Sequence, residues 1–170
     1  MKYIEHHIVE LKRNQAIFKD LLQGNPKEKY LWRWQEDKWN LLEIVCHLYD
    51  EEREDFRART KSVLENPKSA LIPFNPMLWV KDRNYAQKNY NEMLSAFLNE
   101  RQSSIDWLNS LSGPNWENAF MHPKKGPLTA AFFLSNWVVH DYLHIRQILN
   151  LEYQYLQETT GHMLDYAGNW

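Results

Sequence analysis

The sequence predicts an all-α fold, a four-helix bundle with long connections between its helices. Four segments repeat apolar residues with the 3.6-residue period of a helix, and stretches rich in Pro, Gly and Asn separate them. No segment alternates strongly enough to predict a sheet. Charged residues make up 25% of the 170 positions, with only 5 glycines and 7 prolines. We therefore expect a single folded domain over residues 1–170, with a core of its own.

The first two helices have clear end signals. The first is predicted from about Glu5 to Leu22, and the run Gly24-Asn25-Pro26 ends it. The second begins at Asn40, whose side chain can cap the helix while Glu43 bonds back to the cap, and it stops at Asn66-Pro67. The connection from Pro67 to about Lys81 contains an apolar tail and is interpreted as a crossover that covers one end of the bundle.

The second half of the chain repeats this organisation. A third helix is predicted from about Asn84 to Leu111, followed by a loop from Asn115 to Pro127. The fourth helix is capped by Thr129 and continues to about Asn150. The remainder is predicted as an aromatic tail that packs on the body or contacts a partner, with Tyr153, Tyr155, Tyr166 and Trp170.

Charge and cysteine content limit the classes of function. The net charge is -2 and no Lys/Arg stripe is present, so nucleic-acid binding is not expected. The N-terminus has no apolar signal core and no uncharged stretch is long enough to span a bilayer, so no membrane partner is expected. The single cysteine, Cys46, excludes an internal disulfide and suits a reducing compartment, which predicts a cytoplasmic protein. The sequence leaves a homodimer open.

Three histidines stand on apolar helix faces. On the fourth helix a buried stripe is predicted with spacings of 4, 3, 4 and 4 residues, made of Phe133, Trp137, His140, His144 and Ile148. Four residues advance a helix by about 400°, so the two imidazoles of this stripe point the same way. His47 faces inward, or nearly so, on the second helix. One interpretation is a metal site formed by His47, His140 and His144. The alternative is that each is a core or rim histidine satisfied by a hydrogen bond.

Neighbouring residues have two interpretations each. Glu51 could orient or supplement the site or lie on a solvated face, and Asp141 could accept a hydrogen bond from a ligating imidazole or form an exposed salt bridge. Gln147 points toward the same cavity or is exposed. Cys46 projects about 100° away from His47 and is predicted to be a small buried hydrophobe. The other histidines are predicted on the surface or in loops, with His122 a candidate for a pocket mouth.

Two segments resemble the DinB/YfiT-like superfamily. Residues 38–52, with the sequence KWNLLEIVCHLYDEE, resemble its second helix, and the His140-Asp141-x-x-His144-x-x-Gln147 pattern after Gly126-Pro127-Leu128-Thr129 resembles its last bundle helix. The resemblance implies an up-up-down-down four-helix bundle that binds a divalent metal through His47, His140 and His144. Members with known chemistry include transferases and isomerases that use low-molecular-weight thiols such as bacillithiol and mycothiol. No DNA polymerase activity is implied.

Three neutral nitrogen ligands would leave a coordination position open, as in catalytic metal sites. The first hypothesis is a metal-dependent thiol S-transferase that acts on a small electrophilic substrate with a low-molecular-weight thiol as cofactor. The alternatives are a metal-dependent hydrolase, or a non-catalytic binding or stress-response protein that the metal stabilises. Three imidazoles suit zinc, nickel, iron or copper, and zinc or nickel is expected first.

Overall fold

Helices form most of the structure. The computed structural model describes residues 2–73 and 75–168. The helices, in chain order, are α1 (Lys2–Leu22), α2 (Lys27–Tyr30), α3 (Leu41–Glu51), α4 (Arg57–Glu65), α5 (Pro76–Asp82), α6 (Tyr90–Ser110) and α7 (Ala130–Thr160). A π-helical segment, Glu52–Phe56, joins α3 to α4, and a 3₁₀ turn, Tyr85–Gln87, precedes α6. Two short strands, β1 (Ala119–His122) and β2 (Gly126–Thr129), lie between α6 and α7.

Four long helical units form a bundle, which confirms the predicted fold. Helix α1 packs chiefly against α6 and α7, while α3 packs against α6 and α4 packs against α7. The continuous α3–α4 unit therefore lies opposite α1, and the chain needs long connections to reach these positions. One core cluster includes Phe18, Phe97 and Ile148, and a second includes Leu11 and Trp137. No described helix is both long enough and apolar enough to cross a membrane.

Helix caps explain where two of these elements begin. The Asn40 side chain accepts a hydrogen bond from the Glu43 amide and the Glu43 carboxylate accepts one from the Asn40 amide, which confirms the predicted capping box. Thr129 caps α7 as predicted, through a bond from the Phe132 amide. The third predicted helix start is wrong. Asn84 has a φ of 51°, in the left-handed region, and Asn89 caps the helix five residues later.

The fourth helix was predicted too short. Helix α7 continues for 31 residues and ends at Gly161, whose φ of 64° suits the left-handed C-terminal position. Tyr153 and Tyr155 are therefore helical and do not belong to a tail. Tyr166 is fully exposed, and Trp170 lies outside the described residues.

The predicted loop between the third and fourth helices contains a small hairpin. Strands β1 and β2 pair antiparallel, with Ala119 opposite Thr129 and His122 opposite Gly126. At the turn, His122 Nδ1 accepts hydrogen bonds from the amides of Lys124 and Lys125, both at 3.1 Å. These strands have only four residues each, and β2 begins with Gly126-Pro127, so neither shows the period-2 alternation that predicts a strand.

The second predicted helix is interrupted in the middle by the π-helical segment. A π-helical turn shifts the residues that follow it relative to a regular α-helix, and such turns are common near functional sites. Within this segment Glu52 and Phe56 are both buried. Glu52 accepts hydrogen bonds from Arg101 and Trp137, and the centre of the Phe56 ring lies 4.8 Å from the centre of the His140 ring. The segment therefore supplies side chains to the interior beside the predicted site.

Candidate metal centre

The three predicted histidines meet inside the bundle. His47 comes from α3, and His140 and His144 come from consecutive turns of α7. The Nε2 atom of His140 lies 3.3 Å from Nε2 of His47 and 3.0 Å from Nε2 of His144. One donor atom from each residue lies within 4.8 Å of the other two. The three ring edges thus face a common point.

This spacing fits a transition metal. Two imidazole nitrogens bound tetrahedrally at about 2.0–2.1 Å lie about 3.4 Å apart. Two of the three separations, 3.0 and 3.3 Å, are close to this value, and all three donor atoms lie within 4.8 Å of one another. The metal-ligand cluster found in the described part of the chain contains three histidines, with no carboxylate or thiolate. Its donor set is neutral and suits zinc, nickel, copper or iron better than calcium or magnesium.

Burial keeps these imidazoles in the neutral form that binds metals. Desolvation, followed by the charge of His144, lowers the pKa of His47 to about 3. Desolvation lowers the pKa of His144 to about 4, although its hydrogen bond with Gln147 opposes the shift. The pKa of His140 is also well below its usual range, mainly through burial and then through the two other histidines and Arg101. All three rings are therefore uncharged at neutral pH.

Gln147 fixes the tautomer of one ring. His144 Nδ1 lies 2.8 Å from Gln147 Oε1, and because an amide oxygen only accepts, the imidazole donates this hydrogen bond. The lone pair of His144 is then on Nε2, which faces the cluster. Gln147 also lines the adjacent cleft, so the prediction that it points toward the cavity is confirmed. His47 Nδ1 is buried and has no hydrogen-bond partner among the described residues.

Two aromatic side chains enclose the cluster. The Trp39 indole lies 4.7 Å from the His47 ring and stacks on His144 at 6.4 Å with an interplanar angle of 3°. The Phe56 ring covers His140 from the other side. These contacts fix the ring planes and remove water from around the nitrogens. Any ligand bound at the cluster is therefore partly shielded from solvent.

A buried ion network supports the helix that carries His140. Arg101 is almost completely buried and donates two hydrogen bonds of 2.7 Å to the Asp141 carboxylate. It also donates to Glu52 at 2.9 Å, and Glu52 accepts a further bond from Trp137 Nε1 at 2.9 Å. Asn14 donates to Asp141 at 3.1 Å. The network thereby ties α1, the π-helical segment, α6 and α7 together at the level of the cluster.

Asp141 follows neither of its two predicted interpretations. Its carboxylate is fully buried, so the exposed salt bridge is wrong. Within the described part of the chain its hydrogen bonds go to Arg101 and Asn14, and none goes to an imidazole. Sequence position placed Asp141 beside His140. On a helix, however, adjacent residues point about 100° apart, so the two side chains face different neighbours.

Glu51 lies beside Asp55 and away from solvent. Both carboxyl groups are largely buried and hydrogen-bond each other, and Arg59 forms an ion pair with Asp55. Burial, followed by the charge of Asp55, raises the pKa of Glu51 to about 8. The solvated-face interpretation of Glu51 is therefore wrong. Glu51 is not part of the metal-ligand cluster found among the described residues.

Two clefts reach the cluster from different sides. The first, which we call the indole cleft, has a volume of about 540 Å³ and is lined by Trp34, Lys38, Trp39, Leu143, His144, Arg146, Gln147, Asn150 and Leu151. The second, which we call the apolar cleft, has a volume of about 390 Å³, and its lining includes Phe56, Leu128, Phe133, Val139, His140 and Leu143. His144 lines the first cleft, His140 lines the second, and Leu143 separates them.

The remaining predicted residues lie away from the ligand cluster. Cys46 is fully buried, as predicted, and burial raises the pKa of its thiol to about 12. His122 lines the apolar cleft, which confirms its prediction at a pocket mouth. His6 and His162 are exposed, and His7 is half-buried with a hydrogen bond of 3.0 Å to Ser135.

Sequence reasoning missed the residues that enclose and support the cluster. Trp39 directly precedes the Asn40 cap, where an apolar residue commonly packs on the first helical turns, and this signal could have located it. Arg101 falls on the apolar stripe of α6, four residues from both Phe97 and Ile105. A charge on a buried stripe requires a partner, so this position could have indicated a buried ion pair. Phe56 is buried, as expected for a residue on the apolar face of the second predicted helix, but its contact with His140 could not be predicted because it depends on the π-helical segment.

The fold and the cluster together define a class of protein: a helical bundle with a preorganised three-imidazole site in its interior. The sequence model of the DinB superfamily matches residues 10–148. The chain belongs to this superfamily.

A solved structure has a similar fold. It is that of YfiT from Bacillus subtilis, described as a probable metal-dependent hydrolase with an unusual four-helix bundle topology. The two structures align with a TM-score of 0.78 over 96% of this chain and 90% of that chain, at 19% sequence identity. At this identity the likeness establishes the fold alone. No curated protein matches the chain.

Proposed function

We propose that the chain binds a divalent metal, zinc or nickel, through Nε2 of His47, His140 and His144, and transfers a small thiol to an electrophilic substrate. The observation that carries this proposal is the convergence of three neutral imidazole nitrogens where two clefts meet. When bound, such a metal supplies Lewis acidity and lowers the pKa of a thiol or water in its open position.

The chain's own residues prepare the site for this chemistry. Gln147 holds the His144 tautomer that presents Nε2, and burial keeps the other two rings neutral. Trp39 and Phe56 exclude water from the nitrogens, which strengthens electrostatic interactions there. In the transfer, the thiol sulfur forms a bond to an electrophilic carbon while the bond to the leaving group breaks with its electron pair. The thiol proton is lost to solvent.

The two clefts favour transfer between two molecules over hydrolysis. Hydrolysis needs room for one organic substrate and a water, whereas thiol transfer needs room for two organic molecules. The indole cleft and the apolar cleft have volumes of about 540 and 390 Å³, each within or near the range of small-molecule sites. One ends at His144 and the other at His140, whose Nε2 atoms are 3.0 Å apart. Molecules in the two clefts would therefore meet at the cluster.

A metal-dependent hydrolase is the second candidate. The description of YfiT as a probable metal-dependent hydrolase supports it, because the two proteins share a fold. A third candidate is a non-catalytic, metal-stabilised binding or stress-response protein. All three use the same histidine cluster, so they differ in turnover and not in metal content.

A comparison of turnover with and without thiol separates these candidates. Zinc- or nickel-loaded protein is incubated with 1-chloro-2,4-dinitrobenzene and a panel of small thiols, and separately with p-nitrophenyl acetate without thiol. We expect the metal-loaded protein to form thiol adducts faster than the spontaneous reaction without protein, and this excess rate to be lost in His140→Ala but retained in the exposed control His162→Ala. Metal-dependent ester hydrolysis without thiol chemistry would favour the hydrolase. Metal stabilisation without any turnover would favour the non-catalytic protein.

We also propose that the reaction takes place in the cytoplasm with small-molecule partners. Cys46, the single cysteine of the chain, is a buried thiol, which suits a reducing compartment. Low-molecular-weight thiols are kept reduced in such a compartment. A fractionation of the native cells with antibody detection tests this location.

A further inference from the structure

We propose that the indole cleft binds the thiol substrate through an anionic group, so that the preferred thiol is a carboxylate-bearing small molecule. This inference rests on the proposed function, since it names the substrate class of the same site. The apolar cleft is then left for the electrophile. Charge, shape and position of the lining side chains carry the argument.

The charge of the indole cleft is positive. Lys38 and Arg146 line it, and its lining contains no carboxylate. The chain as a whole has a net charge of -2, so this concentration of cations is a local departure. Arg146 is exposed and forms no ion pair with any described residue. A planar guanidinium with this freedom is well suited to a two-point contact with a carboxylate.

Lys38 remains available to a ligand although it has a neighbour. Its ammonium lies 3.0 Å from the Asp37 carboxylate, but Asp37 is largely exposed and the Lys38 side chain is 43% exposed. An exposed ion pair of this kind contributes little free energy, so it is easily exchanged for another anion. The same ammonium lies 5.9 Å from the centre of the Trp34 ring, at the wall of the cleft. The cation and the indole thus form one end of the binding surface.

The walls connect this cationic end to the histidine cluster. Trp39 lines the cleft and also stacks on His144, so a single side chain belongs to both regions. Gln147 lines the cleft while it holds the His144 ring, and its neighbour Asn150 adds a second carboxamide. A ligand with an anionic end, a short polar body and a sulfur at the other end would match this order. Its sulfur would lie toward His144.

The apolar cleft suits a different molecule. Half of its lining side chains are Phe, Leu or Val, and it contains the Asp55 carboxylate. Arg59 also lines this cleft. It forms an ion pair with Asp55 and donates a hydrogen bond to the Ile72 carbonyl, so its guanidinium is already paired within the protein. Lys125 stands at the hairpin turn. An uncharged electrophile is therefore favoured there over an anion.

A binding experiment with the full chain tests the assignment. Nickel-loaded protein is titrated with mercaptosuccinate and with uncharged 2-mercaptoethanol, and binding is followed by the thiolate-to-nickel charge-transfer absorbance. We expect Arg146→Gln and Lys38→Gln each to weaken mercaptosuccinate binding about tenfold, as for the loss of one charged hydrogen bond. Binding of 2-mercaptoethanol should stay unchanged. The matched controls are Lys125→Gln in the apolar cleft and Lys12→Gln on α1, which should bind both thiols as the wild type does.

The outcomes separate this inference from the proposed function. If 2-mercaptoethanol gives the absorbance band but Arg146→Gln and Lys38→Gln bind mercaptosuccinate normally, the thiol site stands and the assignment of the anion is overturned. A loss confined to Lys125→Gln overturns it as well. If no thiol gives the band, the proposed function fails. In that case, succinate binding to the metal-free protein is measured by tryptophan fluorescence. Binding that is lost in Arg146→Gln supports the anion site. No binding, or binding that Arg146→Gln leaves unchanged, overturns it.

Discussion

His144 donates a hydrogen bond of 2.8 Å from Nδ1 to the side-chain oxygen of Gln147, one turn further along the same helix. The bond links the orientation of a predicted metal ligand to a residue that also lines the indole cleft. An imidazole that donates from Nδ1 has its lone pair on Nε2, and that atom lies 3.0 Å from Nε2 of His140. The hydrogen bond between His144 and Gln147 therefore links a wall of the indole cleft to the orientation of a histidine in the cluster.

Removal of this hydrogen bond is predicted to weaken metal binding. In Gln147→Leu the side chain stays bulky but has no oxygen to accept a hydrogen bond, so the His144 ring is free to rotate or change tautomer. We expect a 10–100-fold loss of metal affinity, measured by competition with a chromogenic chelator. Gln154→Leu, seven residues further along α7, is the matched control and should bind as the wild type does. Equal affinities for the two variants would show that Gln147 does not orient the ring.

The pH dependence of stability of the metal-free protein is predicted to carry the signature of the buried imidazoles. The native pKa values of His47 and His144, about 3 and 4, lie below the unfolded value of about 6.5. The unfolded state therefore binds more protons below pH 6.5, and the free energy of unfolding falls as the pH falls. Each imidazole contributes a slope of about 1.4 kcal/mol per pH unit.

A difference measurement isolates this effect from other groups. The pKa of Glu51 is raised to about 8, so this carboxyl acts with the opposite sign between its unfolded value and pH 8. We therefore compare the wild type with His47→Leu by urea unfolding between pH 7 and pH 4.5. The wild type should lose more free energy of unfolding than the variant on acidification, by one imidazole's slope. Parallel pH profiles would contradict the assigned pKa of His47.

Among the charged residues of the described structure, Arg101 is predicted to contribute most to the free energy of unfolding. In Arg101→Met the Glu52 and Asp141 carboxylates lose their counterion while both stay buried. We expect the free energy of unfolding to fall by about 3–5 kcal/mol, measured by denaturant unfolding. The control Lys61→Met removes one member of an exposed pair with Glu65 and should change it by less than about 1 kcal/mol. A similar effect for both variants would show that the network contributes no more than a surface pair.

Cys46 is predicted to have no part in metal binding despite its position next to His47. Burial raises the pKa of its thiol to about 12, so a thiolate ligand is not present at neutral pH. Cys46→Ala should therefore keep the full metal content in elemental analysis of the purified protein. The native wild type should also react slowly with a thiol reagent, and quickly only after denaturation. Loss of metal in Cys46→Ala would mean that the side chain lies at the cluster.

Much of the fold could be predicted because its signals are local. The Asn40 capping box and the Thr129 cap depend on residues within one turn, and both are present as predicted. The start of α6 was misplaced because Asn84 and Asn89 both have the side chain of a cap, and only backbone conformation distinguishes them. The hairpin has strands too short for a periodic pattern. The end of α7 was misplaced because Gly161, which occupies the left-handed C-terminal position, was overlooked as the helix-end signal.

In the candidate site, too, the local features could be predicted and the long-range contacts could not. Helical spacing brought His140 and His144 to one face, and the inward position of His47 was readable from its apolar neighbours. The contacts of the surrounding residues could not be predicted, because they depend on which helices are adjacent and on the π-helical segment. Arg101 and Asp141 are 40 residues apart in sequence and meet only in the bundle. Long-range contacts between two residues of this kind produce no periodic pattern in the sequence, so they could not be predicted from it.

Metal analysis of histidine variants tests the central claim most directly. Wild type, His47→Ala, His140→Ala and His144→Ala are purified, loaded with zinc or nickel, desalted and measured by elemental analysis, with circular dichroism to verify the fold. His6→Ala and His162→Ala, both exposed, serve as matched controls. We predict about one metal ion per chain in the wild type and the controls, as one three-histidine cluster requires, and a substantial loss in each of the three cluster variants. Full metal content in the folded cluster variants would contradict the account.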